Sequence, residues 1–282
     1  MKGFRGTYIE SKQEGGTNMK KTWWILMLAV VLGLGFYGVA TADTLDDIVK
    51  NGELRIVCQT QGTPFSFIDK NGKRTGYAVD IANLMGKEMG VKVTFLDYDW
   101  DGLLPALLSK KGDVLAADMT PTLARALKVS FTQPYYYTGS IIFTKKGSKF
   151  KTIEDCNKEN VNVAVLLGST GEADAKKALP KAQQKAYKGG GPLLINAVIA
   201  GHADIGVNDD TAVVGQMAEF PPGSIELLPY QLSKLPLAFA VRPDDARLLQ
   251  WINLFFDWIQ TDGRQDQLLK YWVKTLDWKK DH

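Results

Sequence analysis

Along residues 43–282, apolar positions follow two periods, one typical of strands and one typical of helices. Short apolar runs that predict buried strands occupy residues 53–59, 91–98 and 112–118. Between the first two runs, Asp80 is predicted to open a helix that stops at Gly90. The dipeptide Asn71-Gly72 separates two alternating segments and predicts a hairpin turn. Strands that alternate with helices favour a parallel sheet with crossover helices.

The alternation restarts near residue 140, so the sequence predicts two α/β units in succession. Further strands are expected at residues 140–147, 161–167, 203–209 and 237–241. The last forty residues are predicted to be helical, with a wide apolar stripe that we interpret as core packing. We expect a first lobe of residues 43–141 plus 238–282, and a second lobe of residues 142–237. A ligand cleft is expected between them, lined by the carboxyl ends of the parallel strands.

Residues 1–42 have a different pattern. Lys20 and Lys21 precede an apolar run at residues 23–39, and a small-residue A-x-A site follows. This order is typical of a secretory signal peptide, which we expect to be removed near Ala42. The alternative is a transmembrane anchor, for which the run is barely long enough.

The net positive charge of the chain comes from that leader. The full sequence has 34 basic and 31 acidic residues, and five of the former and two of the latter lie in residues 1–42. Residues 43–282 are therefore balanced, which argues against a nucleic-acid partner because such partners require a basic surface. Cys58 and Cys156 could form a disulfide in an exported protein, but we predict that both are unpaired.

The sequence offers little for catalysis. It has two histidines, His202 and His282, no cluster with metal-ligand spacing and no G-x-S-x-G elbow. The glycine-rich stretch at residues 189–192 is not followed by Lys-Ser/Thr, so we interpret it as a loop and not as a phosphate cradle. We predict no cofactor and no metal.

Three polar features suggest an anion site joined to a cation site. Arg125 follows a strand end and could donate two parallel hydrogen bonds to a carboxylate. Ser169 and Thr170 lie where a strand gives way to a helix, and the free N–H groups of a helix start favour anions. Asp209 ends another strand and could accept an ammonium group. The alternative for Ser169, Thr170 and Asp209 is simple capping of the helices that follow them. Together the three features match an α-amino acid.

Several motifs occur in one family's order: PFSF at residues 64–67, G-Y-x-V-D-I-A at 76–82, W-D-G-L-L-P-A-L at 100–107, M-T-x-T-x-x-R at 119–125, V-x-F-T-x-P-Y-Y at 129–136 and G-x-A-D-I-x-V-N-D at 201–209. Through them the chain resembles the periplasmic amino-acid-binding proteins of ABC transporters, solute-binding family 3, over residues 43–276. The resemblance implies the two-lobed α/β fold of type II periplasmic binding proteins, with hinge strands between the lobes.

The same resemblance implies a role for each site residue. Arg125 would grip the α-carboxylate with help from Ser169 and Thr170. Asp209 would take the α-ammonium group, and Thr120 and Asp118 would offer further groups.

The sequence also departs from the family pattern. Many relatives have Tyr or Phe where this chain has Gly62, so Trp100 is expected to supply the aromatic wall. Gln59, Phe65 and Asp118 complete the expected binding set. Asp118 stands where small residues are common, and its carboxylate favours a polar or basic amino acid such as lysine, arginine or glutamine over aspartate or glutamate. The alternative is that Asp118 points away and caps the following turn.

The expected partner is an inner-membrane ABC permease, and the expected state is a periplasmic monomer. An enzyme branch of the family, the cyclohexadienyl dehydratases, is expected to have a catalytic Glu three residues after the ammonium-binding Asp. This chain has Ala212 there, so we predict a binding protein and not an enzyme. A third alternative is a module that reports its ligand to a membrane receptor.

Overall fold

The computed structural model describes residues 43–282, together with the isolated residues Gly3 and Gly6. The predicted signal peptide and its cleavage near Ala42 lie outside the described residues. Within residues 43–282, no helix combines the length and the apolar character that crossing a membrane requires.

Fifteen strands are present in residues 43–282. In chain order they are β1 Glu53–Cys58, β2 Gln61–Gly62, β3 Ser66–Ile68, β4 Arg74–Thr75, β5 Lys92–Asp97, β6 Val114–Leu115, β7 Ser130–Phe131, β8 Tyr136–Thr138, β9 Ser140–Lys145, β10 Asn162–Leu166, β11 Gln183–Tyr187, β12 Ile205–Asp209, β13 Ile225–Gln231, β14 Leu235–Leu237 and β15 Ala240–Val241.

The α-helices of the same residues connect these strands. They are α1 Thr44–Asn51, α2 Tyr77–Met89, α3 Leu103–Leu108, α4 Leu123–Ala126, α5 Ile153–Cys156, α6 Thr170–Ala178, α7 Pro192–Ile199, α8 Asp210–Gln216, α9 Ala246–Thr261, α10 Arg264–Leu269 and α11 Trp278–Asp281. Short 3₁₀ turns occur at Trp100–Gly102 and Met217–Glu219, and a π-helical turn at Lys270–Lys274.

Two five-stranded sheets organise the fold. Sheet 1 has the order β5-β1-β6-β15-β7, and sheet 2 has the order β11-β10-β12-β9-β13. In each sheet the first three strands are parallel, and the last two join them by antiparallel pairing. This repetition confirms the predicted succession of two α/β units. We call sheet 1 with its packed helices lobe 1, and sheet 2 with its helices lobe 2; the exact boundaries at residues 141 and 237 stay a prediction.

Each sheet has an apolar core on both of its faces. In lobe 1, the buried side chains of α9 pack with Trp272 and Trp278 against α2. The apolar stripe of α9, with Leu248, Ile252 and Phe256 fully buried, is therefore core packing, as predicted. Cys58 and Cys156 are buried and unpaired, also as predicted.

Two helix starts show how local sequence fixes the elements. Helix α1 begins where Asp43 accepts a hydrogen bond of 2.8 Å from the backbone N–H of Leu45. Helix α2 begins at Tyr77, three residues before the predicted Asp80, because the carbonyl groups of Pro64 and Phe65 accept the first free N–H groups of the helix. Asp80 instead accepts a hydrogen bond of 2.8 Å from the indole N–H of Trp272.

The chain crosses between the sheets twice, and the two crossings pair with each other. Strands β8 and β14 form an antiparallel ribbon, which we call the hinge ribbon. The backbone approaches itself closely beside it, since a Cβ on Gly139 would lie 1.9 Å from the carbonyl oxygen of Ser233. Asp174 accepts hydrogen bonds of 2.6 Å from both Ser140 and Ser233, which ties helix α6 to this region.

Candidate functional site

Predicted site residues meet where strands of both sheets end. Gln59 follows β1 and Asp118 follows β6 in lobe 1, while Ser169 follows β10 and Asp209 ends β12 in lobe 2. The predicted strand at 112–118 is shorter than expected, at Val114–Leu115, and the chain after it leaves the sheet and carries Asp118 to the cleft. This is the place where open α/β sheets bind their ligands.

These residues enclose a small cavity between the lobes. Its volume is about 20 Å³, and it is lined by Gln59, Trp100, Asp118, Leu166, Ser169, Thr170, Gly191, Asn208, Asp209 and Gln216. That volume suffices for about one water molecule. A ligand with several heavy atoms can therefore enter only if the lobes separate.

Arg125 joins the two lobes beside this cavity. Its guanidinium donates hydrogen bonds to the carbonyl oxygens of Thr120 at 2.7 Å and of Gly168 at 3.0 Å, and lies 5.3 Å from the centre of the Trp100 ring. Burial lowers the pKa of Arg125, and the negative charges of Asp209 and Asp118 oppose that shift. The position of Arg125 is fixed by the single-turn helix α4, which Thr122 caps.

Asp209 has a carboxylate that does not cap its helix. It occupies the N-cap position of α8, yet its side chain accepts no capping hydrogen bond. It is 8% exposed. Burial, followed by the negative charges of Asp118, Asp210 and Asp174, raises its pKa to about 8, and Arg125 acts in the opposite direction. The capping alternative is thus absent, and the carboxyl group remains available to a ligand.

Asp118 and Thr120 present polar atoms without partners. Among residues 43–282, the Oδ1 atom of Asp118 and the hydroxyl of Thr120 are buried and form no hydrogen bond. Burial raises the pKa of Asp118 to about 6, against the opposing effects of its own backbone N–H and of Arg125. No side-chain hydrogen bond ties Asp118 to the turn that follows it, so the predicted alternative of a capping role is not formed in the described structure.

Ser169 and Thr170 begin helix α6 at the cavity wall. Ser169 is the N-cap, and its oxygen accepts a hydrogen bond of 3.1 Å from the N–H of Glu172. Capping uses a lone pair of this oxygen and leaves its O–H proton free to be donated. Ser169 and Thr170, the N-cap and first residue of this nine-residue helix, both line the cavity, so the partial positive charge of the helix start lies beside it.

Trp100 lines the cavity and packs against apolar clusters of both lobes, and its role as an aromatic wall for a ligand stays a prediction. Gln59 is 6% exposed, and its amide lies over Gly62, where a Cβ would be 2.6 Å from the Gln59 Oε1 atom. The absence of a side chain at residue 62 thus makes room for the amide of Gln59.

Phe65 is not among the residues that line the cavity, and its ligand-binding role stays a prediction. It is 1% exposed, and its ring lies in the core of lobe 1, with centroids 6.2 Å from Tyr77 and 6.1 Å from Tyr135. The Phe65 carbonyl accepts a hydrogen bond of 2.8 Å from the N–H of Ala78 in helix α2.

The sequence reasoning missed four lining residues, Leu166, Gly191, Asn208 and Gln216. Leu166 and Asn208 neighbour predicted positions on strands β10 and β12, so strand ends could have indicated them. Gln216 lies seven residues after Asp209, at the end of a helix, and has no comparable signal.

A second groove lies largely outside the predicted site. A wider groove of about 510 Å³ lies along helix α6 and is lined by residues such as Lys176, Leu179 and Gln184; of the predicted site residues only Ser169 reaches it. Within the described part of the chain, no three His, Cys, Asp or Glu residues are grouped closely enough to hold a metal ion.

Comparisons with known proteins agree with this architecture. Residues 54–275 match the model of the bacterial extracellular solute-binding proteins, family 3. A probable amino-acid ABC transporter-binding protein of Haemophilus influenzae is 31% identical over 76% of this chain and 82% of its own length. The lysine/arginine/ornithine-binding periplasmic protein of Escherichia coli strain K12 is 29% identical over 89% of this chain and 96% of its own.

Solved structures are similar as well. An ancestral amino acid-binding protein, described as a precursor of cyclohexadienyl dehydratase, has a TM-score of 0.75 and 38% identity, covering 82% of this chain and 99% of that one. A putative ABC transporter binding component from Wolinella succinogenes, in complex with lysine, has a TM-score of 0.73 and 33% identity, covering 79% of this chain and 96% of that one.

Proposed function

The chain belongs to the bacterial extracellular solute-binding proteins of family 3, and on that premise we propose that it captures a polar or basic L-amino acid between its lobes and delivers it to an ABC permease. The observation that carries the proposal is the charge around the cavity. Two buried carboxyl groups, Asp118 and Asp209, line the cavity, and the guanidinium of Arg125 beside it lies close enough to lower the pKa of both.

The α-carboxylate and α-ammonium groups of an amino acid would pair with one positive and one negative side chain of the site. The α-carboxylate would accept hydrogen bonds from Arg125, which now donates to two neutral carbonyl groups, and from the donors at the start of α6. The α-ammonium group would pair with Asp209, whose carboxyl is not used as a cap. This use of both lobes explains how a ligand would stabilise their closure.

The side chain of the ligand would then meet Asp118. A lysine or arginine side chain would neutralise this carboxylate and could lie against Trp100, so that the filled cleft would have no net charge. An aspartate or glutamate ligand would place a second buried anion beside Asp118, which is strongly unfavourable. Relatives named for lysine, arginine and ornithine binding, and a similar structure with lysine bound, support the basic class.

An enzymatic role is the second candidate, because one similar structure is described as a precursor of cyclohexadienyl dehydratase. We propose that this chain does not catalyse that reaction. At the position where the resemblance expects the catalytic Glu, it carries Ala212, which is 2% exposed and cannot transfer a proton.

The proposal includes the cellular setting. We propose that the protein is exported to the periplasm, loses its leader near Ala42, works as a monomer and does not bind nucleic acid. The balanced charge of residues 43–282 and the relatives' names as ABC transporter and periplasmic proteins support this setting.

A thermal-shift screen of the twenty amino acids, followed by calorimetry of the hits, tests the function. We expect stabilisation by lysine, arginine or glutamine and none by aspartate or glutamate. Stabilisation by glutamate or leucine alone would refute the assignment of Asp118. If no amino acid stabilises the protein while prephenate or arogenate is consumed, the enzymatic alternative is correct.

A further inference from the structure

Gln216 is a buried residue of the cleft that none of the expected ligand contacts uses. It ends helix α8, is 2% exposed and lines the same cavity as Gln59 and Asp118. Its Nε2 atom donates a hydrogen bond of 3.4 Å to the backbone carbonyl of Gln61, which belongs to lobe 1. Its Oε1 atom is buried and has no hydrogen-bond partner among residues 43–282.

The orientation of this amide follows from its surroundings. The Gln61 carbonyl can only accept a hydrogen bond, so the amide nitrogen must face it and the oxygen must face away. The amide lies on the backbone of Gly191, where a Cβ would be 2.3 Å from Nε2 and 2.4 Å from Oε1. The side chain of Gln61 lies in the same manner on Gly190, at 2.5 Å from a Cβ there.

The glycine-rich stretch at residues 189–192 therefore does more than connect two elements, because it packs against side chains at the cleft. Glycines at 190 and 191 allow two glutamine side chains to lie directly on the main chain. The same loop contacts lobe 1 a second time, since the N–H of Trp100 donates to the Gly189 carbonyl at 3.2 Å. The loop thus holds Gln216 at the closing surface between the lobes.

Two of the acceptor atoms on residues that line the cavity have no hydrogen-bond donor. Asp118 Oδ1 and Gln216 Oε1 both lack donors, and no lysine or arginine is among the described residues that line the cavity. A buried acceptor without a donor is costly, so the site favours a ligand that supplies N–H groups.

We propose that Gln216 is a specificity-determining residue whose amide oxygen, together with Asp118, accepts hydrogen bonds from the N–H groups at the end of a cationic ligand side chain. This inference rests on the proposed function and narrows its ligand class to side chains that end in an ammonium or guanidinium group. Because Gln216 also forms a hydrogen bond with Gln61 across the cleft, its amide oxygen contacts the ligand side chain only when the lobes are closed.

The test compares each basic amino acid with an analogue of the same length that lacks its charged end. Calorimetry of the full mature protein would give Kd for lysine and norleucine, and for arginine and citrulline. In the Gln216→Met variant, which keeps the size and removes the acceptor, we expect the preference for lysine over norleucine to fall roughly tenfold, as the loss of one hydrogen bond to a charged group implies. In Gln216→Glu, lysine binding at pH 8 should be kept or tightened.

Thr63→Val provides the control. Thr63 donates a hydrogen bond of 2.9 Å to Glu219 across the same cleft but does not line the cavity. Its loss should weaken all four ligands by the same factor and leave their ratios unchanged. If Gln216→Met behaves like Thr63→Val, Gln216 only supports closure and the inference is wrong, even though the proposed function stands. If the unaltered protein binds glutamine but neither lysine nor arginine, the inference is wrong while the proposed function stands. If it binds no amino acid, the proposed function itself fails.

Discussion

The guanidinium of Arg125 donates a hydrogen bond of 3.0 Å to the carbonyl oxygen of Gly168, and this bond connects helix α4 of lobe 1 to the turn before helix α6 of lobe 2. An anionic group placed between them would replace a neutral acceptor with a charged one, which strengthens the hydrogen bonds of the guanidinium.

Replacing Arg125 with Met should therefore weaken amino-acid binding by roughly two to four decades, because removing one member of a buried ion pair typically costs about 3–5 kcal/mol. The unfolding temperature without ligand should stay near that of the unaltered protein. Arg247→Met, at an exposed arginine on α9, is the matched control and should bind normally. Normal affinity of Arg125→Met by calorimetry would show that Arg125 does not hold the ligand.

Asp118 should set the charge preference of the cleft. We expect Asp118→Asn to weaken lysine and arginine binding roughly 10- to 100-fold while glutamine changes less, since the variant keeps an acceptor but loses the charge. Asp101→Asn, at an exposed acid beside Trp100, should leave all three affinities unchanged. An equal loss for lysine and glutamine would contradict the predicted contact.

Binding of a basic amino acid should release protons near neutral pH. The pKa of Asp209 is raised to about 8 and that of Asp118 to about 6, so the closed cleft holds protons that an ammonium partner would displace. A raised carboxyl pKa also means that closure without ligand becomes less favourable as the pH rises from about 4 to about 8. Affinity should accordingly increase between pH 6 and pH 8.

Calorimetry at pH 7 in phosphate and in Tris measures this release, because the two buffers differ in their enthalpy of ionisation. We expect the apparent binding enthalpy at pH 7 to differ between the buffers. Equal enthalpies at pH 7 would mean that Asp209 is already ionised before the ligand arrives.

The lobes should open and close around the ligand. The cavity of about 20 Å³ is too small for an amino acid unless the lobes part, and the hinge ribbon gives them two strands about which to rotate. Small-angle scattering should show a smaller radius of gyration with ligand than without it. The same ligand should not compact Arg125→Met at concentrations that saturate the unaltered protein. Identical profiles with and without ligand would argue against hinge closure.

The exported protein should begin at Asp43. This residue caps α1 with a hydrogen bond of 2.8 Å and lies 3.4 Å from Arg247, so removal of the leader after Ala42 would leave the first helix complete. Cleavage beyond Asp43 would lose the cap, at a cost of about 1 kcal/mol. Mass spectrometry of secreted protein gives the start directly, and an intact leader on membrane-bound protein would contradict the prediction.

Much of the framework follows from the sequence, because the periods of apolar residues show which face of each strand or helix is buried. Both sheets are built from elements with such buried faces. The strand before Asp209 and the turn at Ser169 were predictable for this reason. The burial of Phe65 was not predictable, because its ring packs against Tyr77 and Tyr135, which lie 12 and 70 residues later in the chain. Gln216 was missed because lobe 1 buries it, and no local pattern in helix α8 reports a contact with Gln61.

Strand β15 lies between β6 and β7, although it follows them by more than one hundred residues. Lobe 2 takes all strands of its sheet from one continuous segment, whereas lobe 1 lacks a central strand until residues 240–241 arrive. In a protein exported from its N-terminus, the lobe that begins first is therefore completed last. Lobe 2 can form its sheet while lobe 1 is still unfinished, and folding of the ligand cleft waits for the C-terminal end of the chain.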